Sequence, residues 1–392
     1  MCKKILLFKA KIICYSSNEY FTDCFIDALI NAGCDVDLCD ISMEESFNKE
    51  EEMEKKLELL MGKNYDAIID FNSILPRIRL DDGSFFLDYI NGPFYNYIVD
   101  HPLYHHPILN LQLKNYNVIC LDKNHADYIK EFYPHIKKVI FMPIPAMKSM
   151  ILYNIDSRKY DVVFQGTYTS CEQVMCKYRS SDEQINQYIK ELIDLMINDT
   201  SLDIKHALDM ILKRRNIVTD KETYRCLLNK VFPADMYIRA FFREELMKIL
   251  IGNGIDINVF GYGWEQFPLF DSKHFKYHEA VGYAVSVEMM GNTKIMLNMM
   301  PWFKAGSHDR VFSSMINGCV CVTDSSSYID ELFEDGKHLV KYSLGDMQKL
   351  PEIIKLTLSD TKKMSRISCE GAQIVEGKYT WNKMAAAFLN NL

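Results

Sequence analysis

Over roughly its first 145 residues the chain switches repeatedly between a two-residue and a 3.6-residue apolar period. That alternation constrains its fold more than any other feature. "KKILLF", "KIICYSS", "CDVDLCDI", "YDAIIDFN", "FYNYIVD", "YNVICLD" and "KKVIFMPIP" read as short strands. Between them, "NEYFTDCFIDALINAG" repeats its apolar residues at helical spacing and stops at Gly33, a residue suited to the position just past a helix end. "NKEEEMEKKLELLMG" and "HADYIKEFYP" are further helices, and the acidic run Glu50 to Glu54 is a solvated face of the first of these. Strands alternating with helices predict a parallel, doubly wound sheet.

A second α/β unit opens at "YDVVFQGTYTS". A long helical stretch follows before the next strand, and we read 171–232 as a helical insertion. Sheet signals resume with "IDINVFGYGW", "KYHEAV", "TKIMLNMM", "GCVCVTD" and "HLVKYS", and the chain ends in helices. The expected fold is α/β, with two Rossmann-like domains facing a cleft. The N-terminal domain spans 1–148 and the C-terminal domain 149–375, and a helix over 376–392 crosses back to the first domain. Ligands of such sheets bind beyond the C-terminal strand ends, so the residues just after strands matter most.

At 392 residues the chain is long enough for two to three domains. Its 48% hydrophobic and 25% charged residues carry no disorder bias. A net charge of -8 argues against a nucleic-acid partner, which needs a basic face. The 12 cysteines show no CxxC pairs, and Cys34, Cys39, Cys120, Cys319 and Cys321 lie in apolar runs, as buried reduced thiols do. Lys9 and Lys11 interrupt the apolar start, which speaks against a signal peptide, and no apolar run is long enough to span a membrane. A cytoplasmic location is expected.

The stretch "GSHDRVFSSMINGCVCVTD" places Gly306, Ser307, His308 and Arg310 before a short apolar helix. With Ser307 as N-cap, the helix would aim free N–H groups and its positive end at an anion, and Arg310 would add a bidentate grip on a diphosphate. Asp309 opposes this unless Arg310 or a backbone amide engages it. Ordinary capping explains the same residues without a ligand. Gly166 and Thr167 in "FQGTY" follow an apolar strand, where a glycine allows close approach to a ligand and a hydroxyl can bond phosphate; a plain turn is the alternative. In "VFGYGW", Gly261 and Gly263 flank Tyr262, and Trp264 can stack on a base or sugar or simply pack. In "YIVDHPLYHH", Asp100 and His101 end a strand. His101 can bond a sugar hydroxyl or act as a base oriented by an acid. Metal binding by Asp100, His101, His105 and His106 carries little weight, as nothing completes a ligand set. A polar turn held by Pro102 and Pro107 is equally open. No GxSxG, P-loop or HExxH is present.

The segments from Gly306 onward, with "YTWNKMAAAF", resemble the C-terminal half of CgeB-like glycosyltransferases of the GT-B fold. "YIVDHPLYHH", "CLDKNHADYIKEFYPHIKKVIFMP", "YDVVFQGTY" and "VFGYGW" are similar to segments of that family. The resemblance implies metal-independent transfer of a sugar from a nucleotide diphosphate sugar, a UDP-sugar first, to a hydroxyl acceptor, with no cofactor. It places the donor on the C-terminal domain and the acceptor on the N-terminal one. By it, Gly166, Thr167 and Arg310 lie near the diphosphate, and His101 lies where related enzymes often have a histidine near the transferred sugar. The ribose-binding Glu of related enzymes is replaced here by Ser313, and the earlier Glu of an E-x7-E pair by Ala305. Two alternatives stand beside this reading: a nucleotide-sugar epimerase or hydrolase on the same scaffold, and a catalytically degenerate binding module.

Overall fold

A computed structural model describes residues 2–10, 18–42 and 49–392. The chain divides into two compact units. The first comprises Met1–Pro145, Gly282–Ala284 and Lys378–Leu392; the second comprises Ala146–Val281 and Val285–Gly377.

The first unit is built on a six-stranded parallel sheet. Its strands are β1 (Lys4–Lys9), β2 (Asp35–Asp40), β3 (Ala67–Phe71), β4 (Phe94–Tyr97), β5 (Tyr116–Cys120) and β6 (Lys138–Phe141), in the order β2-β1-β3-β4-β5-β6. β3, β4 and β5 are buried along their whole length, as the inner strands of a sheet covered on both faces must be. The helix Asn18–Asn31 ends before Gly33, whose φ of +83° is the left-handed geometry expected there. The last helix, Trp381–Leu389, packs on it: the Phe25 ring lies 5.9 Å from Trp381 and 5.6 Å from Phe388. The strand expected at "KIICYSS" falls outside the described residues.

The second unit carries another parallel sheet of six strands. They are β7 (Tyr160–Gln165), β8 (Ile257–Phe260), β9 (Phe275–His278), β10 (Thr293–Asn298), β11 (Val320–Thr323) and β12 (Val340–Lys341), in the order β12-β11-β10-β7-β8-β9. Between β7 and β8 the chain forms only helices, from Cys171–Tyr178 to the 20-residue Pro233–Gly252. Amphipathic helices such as Glu183–Asn198 bury one stripe and expose the other, as their spacing requires.

Cys39, Cys120, Cys319 and Cys321 are buried free thiols, whereas Cys34 is only half-buried because it sits in the turn before β2. Among the described residues no helix is long and apolar enough to cross a membrane.

Candidate functional site

In the second unit the chain runs from β7 outward through β8 and β9, then returns to pair β10 with the other edge of β7. This reversal point is where open α/β sheets bind ligands, beyond the C-terminal strand ends. β7 there runs into Gly166 and Thr167, and β8 into Gly261, Tyr262 and Gly263.

These two loops are joined closely. Gly166 N–H donates to Phe260 O at 2.9 Å and Tyr168 N–H to Tyr262 O at 2.8 Å. Gly261 has φ +155°, and a Cβ there would run into the Gly166 carbonyl; one on Gly263, at φ +79°, would meet the Tyr168 carbonyl. The glycines therefore serve loop-to-loop contact. Trp264 is fully buried, stacks on Tyr168 at 5.0 Å and donates its indole N–H to Gly166 O at 2.7 Å. This corrects the expectation that it stacks on a base or sugar: an indole with no exposed surface supports the loop from beneath. Thr167 and Tyr262 are the exposed side chains of the pair.

The helix Pro233–Gly252 adds two residues that sequence patterns did not single out, Arg239 and Arg243. The Arg243 guanidinium donates to Thr167 O, and its Nε is buried without a hydrogen-bond partner among the described residues. Burial, followed by the charges of Arg310 and Arg239, pushes Arg243 down to about 9. Arg239 donates to Asp235 at 2.9 Å and lies over the Trp302 ring at 4.3 Å. Arg310, whose Nη1 donates to Asn298 Oδ1 at 3.0 Å, stands at the end of β10. Three guanidiniums thus share one neighbourhood with the loop after β7. The only sequence signal for Arg239 and Arg243 was their spacing, four residues apart on one helix face.

The helix that follows spans Asp309–Ile316. Its N-cap is His308, not Ser307: His308 has extended backbone and its Nδ1 accepts from Arg310 N–H at 3.2 Å. The helix begins one residue later than expected, so Ser307 lies outside the cap position; it is buried and its hydroxyl donates to His308 O at 3.2 Å. The Asp309 carboxylate lies 2.6 Å from His308 Nδ1, a contact that becomes an ion pair only when the ring is protonated. Burial holds His308 below the usual imidazole range despite that neighbour, with Arg310 and Arg243 acting in the same direction. Gly306 is buried, and its carbonyl accepts from Ser326 Oγ at 2.6 Å.

Ser313 is fully buried and accepts from Met147 N–H at 3.2 Å. It holds the chain where it enters the second unit, so its placement among the ligand-binding residues is corrected. It lies a turn inside the helix, on the face turned to the core.

In the first unit, Asp100 is exposed and accepts from Asn72 Nδ2 at 3.5 Å. His101 is nearly buried, and its Nδ1 accepts from Leu103 N–H at 3.1 Å, with the His125 ring at 4.4 Å. A backbone amide thus fixes the ring and leaves the neutral tautomer's proton on Nε2. His105 Nδ1 pairs with Ser73 Oγ at 2.8 Å and His106 Nδ1 with Tyr133 OH at 2.9 Å. Burial lowers His105 to about 4, so it stays neutral. Ser73 follows Asn72 in a turn where both residues have positive φ, 64° and 59°. Among the described residues no three His, Cys, Asp or Glu side chains cluster as metal ligands.

Comparison with solved structures decides the architecture. An alpha-glucosyltransferase in complex with UDP-glucose and DNA containing an abasic site aligns over 100% of this chain and 98% of its own, with a TM-score of 0.57 and 14% identity. The fold is GT-B. A sucrose-phosphate synthase from Thermosynechococcus elongatus shares this GT-B fold, aligning over 99% of this chain and 98% of its own at a TM-score of 0.55 and 9% identity. Residues 239–390, which include both Arg243 and Arg310, match the family model described as "Glycosyl transferase-like". No curated protein matches the sequence.

Proposed function

We propose that the protein is a glycosyltransferase of hexosyltransferase type, moving a sugar from a nucleotide diphosphate donor to a hydroxyl acceptor. One observation carries this reading: the half-buried Arg243, its buried Nε unpartnered among the described residues, held beside Arg310 and Arg239. Holding like charges close together is unfavourable, and a diphosphate relieves it. As the donor's anomeric C–O bond breaks, negative charge grows on the departing β-phosphate. Guanidiniums already fixed in place stabilise that charge without reorganising. Side chains supply the cations here, and on this reading the reaction is metal-independent.

The match of residues 239–390 to a glycosyl transferase-like family supports the reading. UDP-glucose in the aligned alpha-glucosyltransferase makes a UDP-sugar the first donor to try. Gly166, Thr167, Gly261, Tyr262 and Gly263 are assigned to the donor site as its floor and rim, Arg310 as its cationic wall, and His308, kept neutral by burial, as the neighbour that caps the helix beside it. The acceptor is assigned to the first unit, at His101, whose neutral tautomer carries its proton on Nε2. That tautomer makes His101 a donor of a hydrogen bond rather than a resting base, with Asp100 nearby as its acidic companion.

The test is turnover of UDP-, GDP- and dTDP-sugars with and without simple sugar acceptors. Sugar transfer only when acceptor is present supports the assignment. Isomerised sugar or free nucleotide produced equally without acceptor would identify an epimerase or hydrolase instead, and binding without any turnover a degenerate module.

A further inference from the structure

An opening of about 530 Å³ lies within the second unit at the C-terminal ends of β11 and β12. That volume is within the roughly 300–1,000 Å³ of small-molecule sites. The helical insertion closes one side through Ser201, and the segment after β10 supplies Phe303 and Lys304. Asp324 sits at the end of β11, and Ser343 and Lys349 follow β12.

The walls are fixed rather than loose. Lys304 Nζ donates to Thr200 O at 2.6 Å, tying the insertion to the sheet. Ser327 N–H donates to Lys304 O at 2.9 Å, so the Lys304 backbone is held from the opposite side. Asp324 is buried and its Oδ1 accepts from Met300 N–H at 2.8 Å.

The chemistry of the lining is mixed in a specific way. Lysines 304, 341 and 349 face Asp324 and Asp346. Lys341 pairs with Asp330 at 2.7 Å and Lys349 with Asp346, while burial raises Asp324 to about 7 and reduces its charge, which leaves the lining with a positive balance centred on Lys304. Serine hydroxyls and a carboxyl offer bonding partners for several ligand hydroxyls, and the Phe303 ring gives an apolar wall for C–H groups. An apolar ligand would strand these polar groups, and a bare inorganic anion would leave most of them unused.

We propose that this opening binds a small anionic carbohydrate, a sugar phosphate or sugar acid, at a site separate from the arginine centre. Lys304 and Lys349 meet the anionic group, and Asp324 with Ser201 and Ser343 meets the ring hydroxyls.

The test uses the full chain, with glucose 6-phosphate and glucuronate as probes followed by calorimetry and thermal shift. At least one probe should bind saturably in the millimolar range, with equal affinity in the presence of saturating UDP and in Arg310→Ala. Ser343→Trp, which fills the opening, and Lys349→Glu should each weaken it at least tenfold. Lys349 is largely exposed, so the second variant keeps the test decisive if the first does not fold. Binding of neither probe overturns the proposal. So does binding that UDP or Arg310→Ala abolishes, or that both pocket variants leave unchanged.

Discussion

The guanidinium of Arg243 donates to the carbonyl oxygen of Thr167, so a helix reached some 75 residues later is pinned to the loop that leaves β7. Arg243→Ala removes both this tie and a cation of the proposed diphosphate site. We expect UDP affinity to fall by one to two orders of magnitude, about 1.4–2.8 kcal/mol. Calorimetric titration of UDP measures it; an unchanged Kd in a folded variant removes Arg243 from the site.

The same residue sets a pH limit. Its protonated form is the one that holds a diphosphate, and in the free protein that form is lost as pH rises through about 9. UDP affinity should therefore decline above about pH 9 in the native protein, and Arg243→Gln should have a flatter profile on the alkaline side. Titration of UDP binding from pH 7 to 10 compares the two.

Arg310→Ala should lower donor affinity or turnover by a comparable factor, about ten- to a hundredfold. Asn298→Ala, which frees Arg310 Nη1 from its 3.0 Å bond, should cost less, because the charge remains and only its aim is relaxed. Equal losses in the two variants would mean that Asn298 touches the donor itself.

His101→Ala should reduce sugar transfer while leaving UDP binding in place, since the ring belongs to the other sheet's unit. His101→Gln, which keeps an N–H donor, should recover part of the rate if His101 acts by donating. Steady-state kinetics with a matched UDP titration separates the two quantities, and a parallel loss of both assigns His101 to folding.

Stability should also depend on pH through Asp324 and Asp70, both fully buried and both raised to about 7. A carboxyl with a raised folded pKa binds its proton more tightly when folded. Its favourable contribution is complete below the ordinary carboxyl value of 3.8 and is lost as pH rises to about 7. Each group contributes a slope of up to about 1.4 kcal/mol per pH unit in that window. His105, lowered to about 4, acts in the opposite sense between 4 and 6.5, so the clean test is a difference. Denaturant unfolding of Asp324→Asn between pH 4.5 and 7.5 should show a shallower decline than the native chain.

The architecture was legible because strand and helix periods alternate so regularly, and every strand signal within the described residues became a strand. The helical insertion was legible for the same reason. The site was legible only in part. Gly166, Gly261 and Gly263 were found because strand-end glycines mark close backbone approach, yet the approach is between the two loops, Gly261 to Gly166 and Gly263 to Tyr168. His308 was passed over as the cap because serine is the commoner capping residue, and the one-residue shift was set by burial of Ser307. Trp264 was misjudged because an aromatic next to a glycine-rich turn reads alike whether it faces a ligand or the core. Arg239 and Arg243 carried no motif: only the fold brings a crossover helix over the strand it left behind.

The helix Asp309–Ile316 is gripped at both ends. Its first turn presents His308 and Arg310, and just past its last turn Asn317 accepts from Ser149 N–H at 2.7 Å and donates to Met147 O at 2.8 Å. Eight residues span only about 12 Å, too short to bend appreciably. The entry segment at residues 147–149 and the residues at the helix's first turn are thus held at a fixed separation by a single rigid rod.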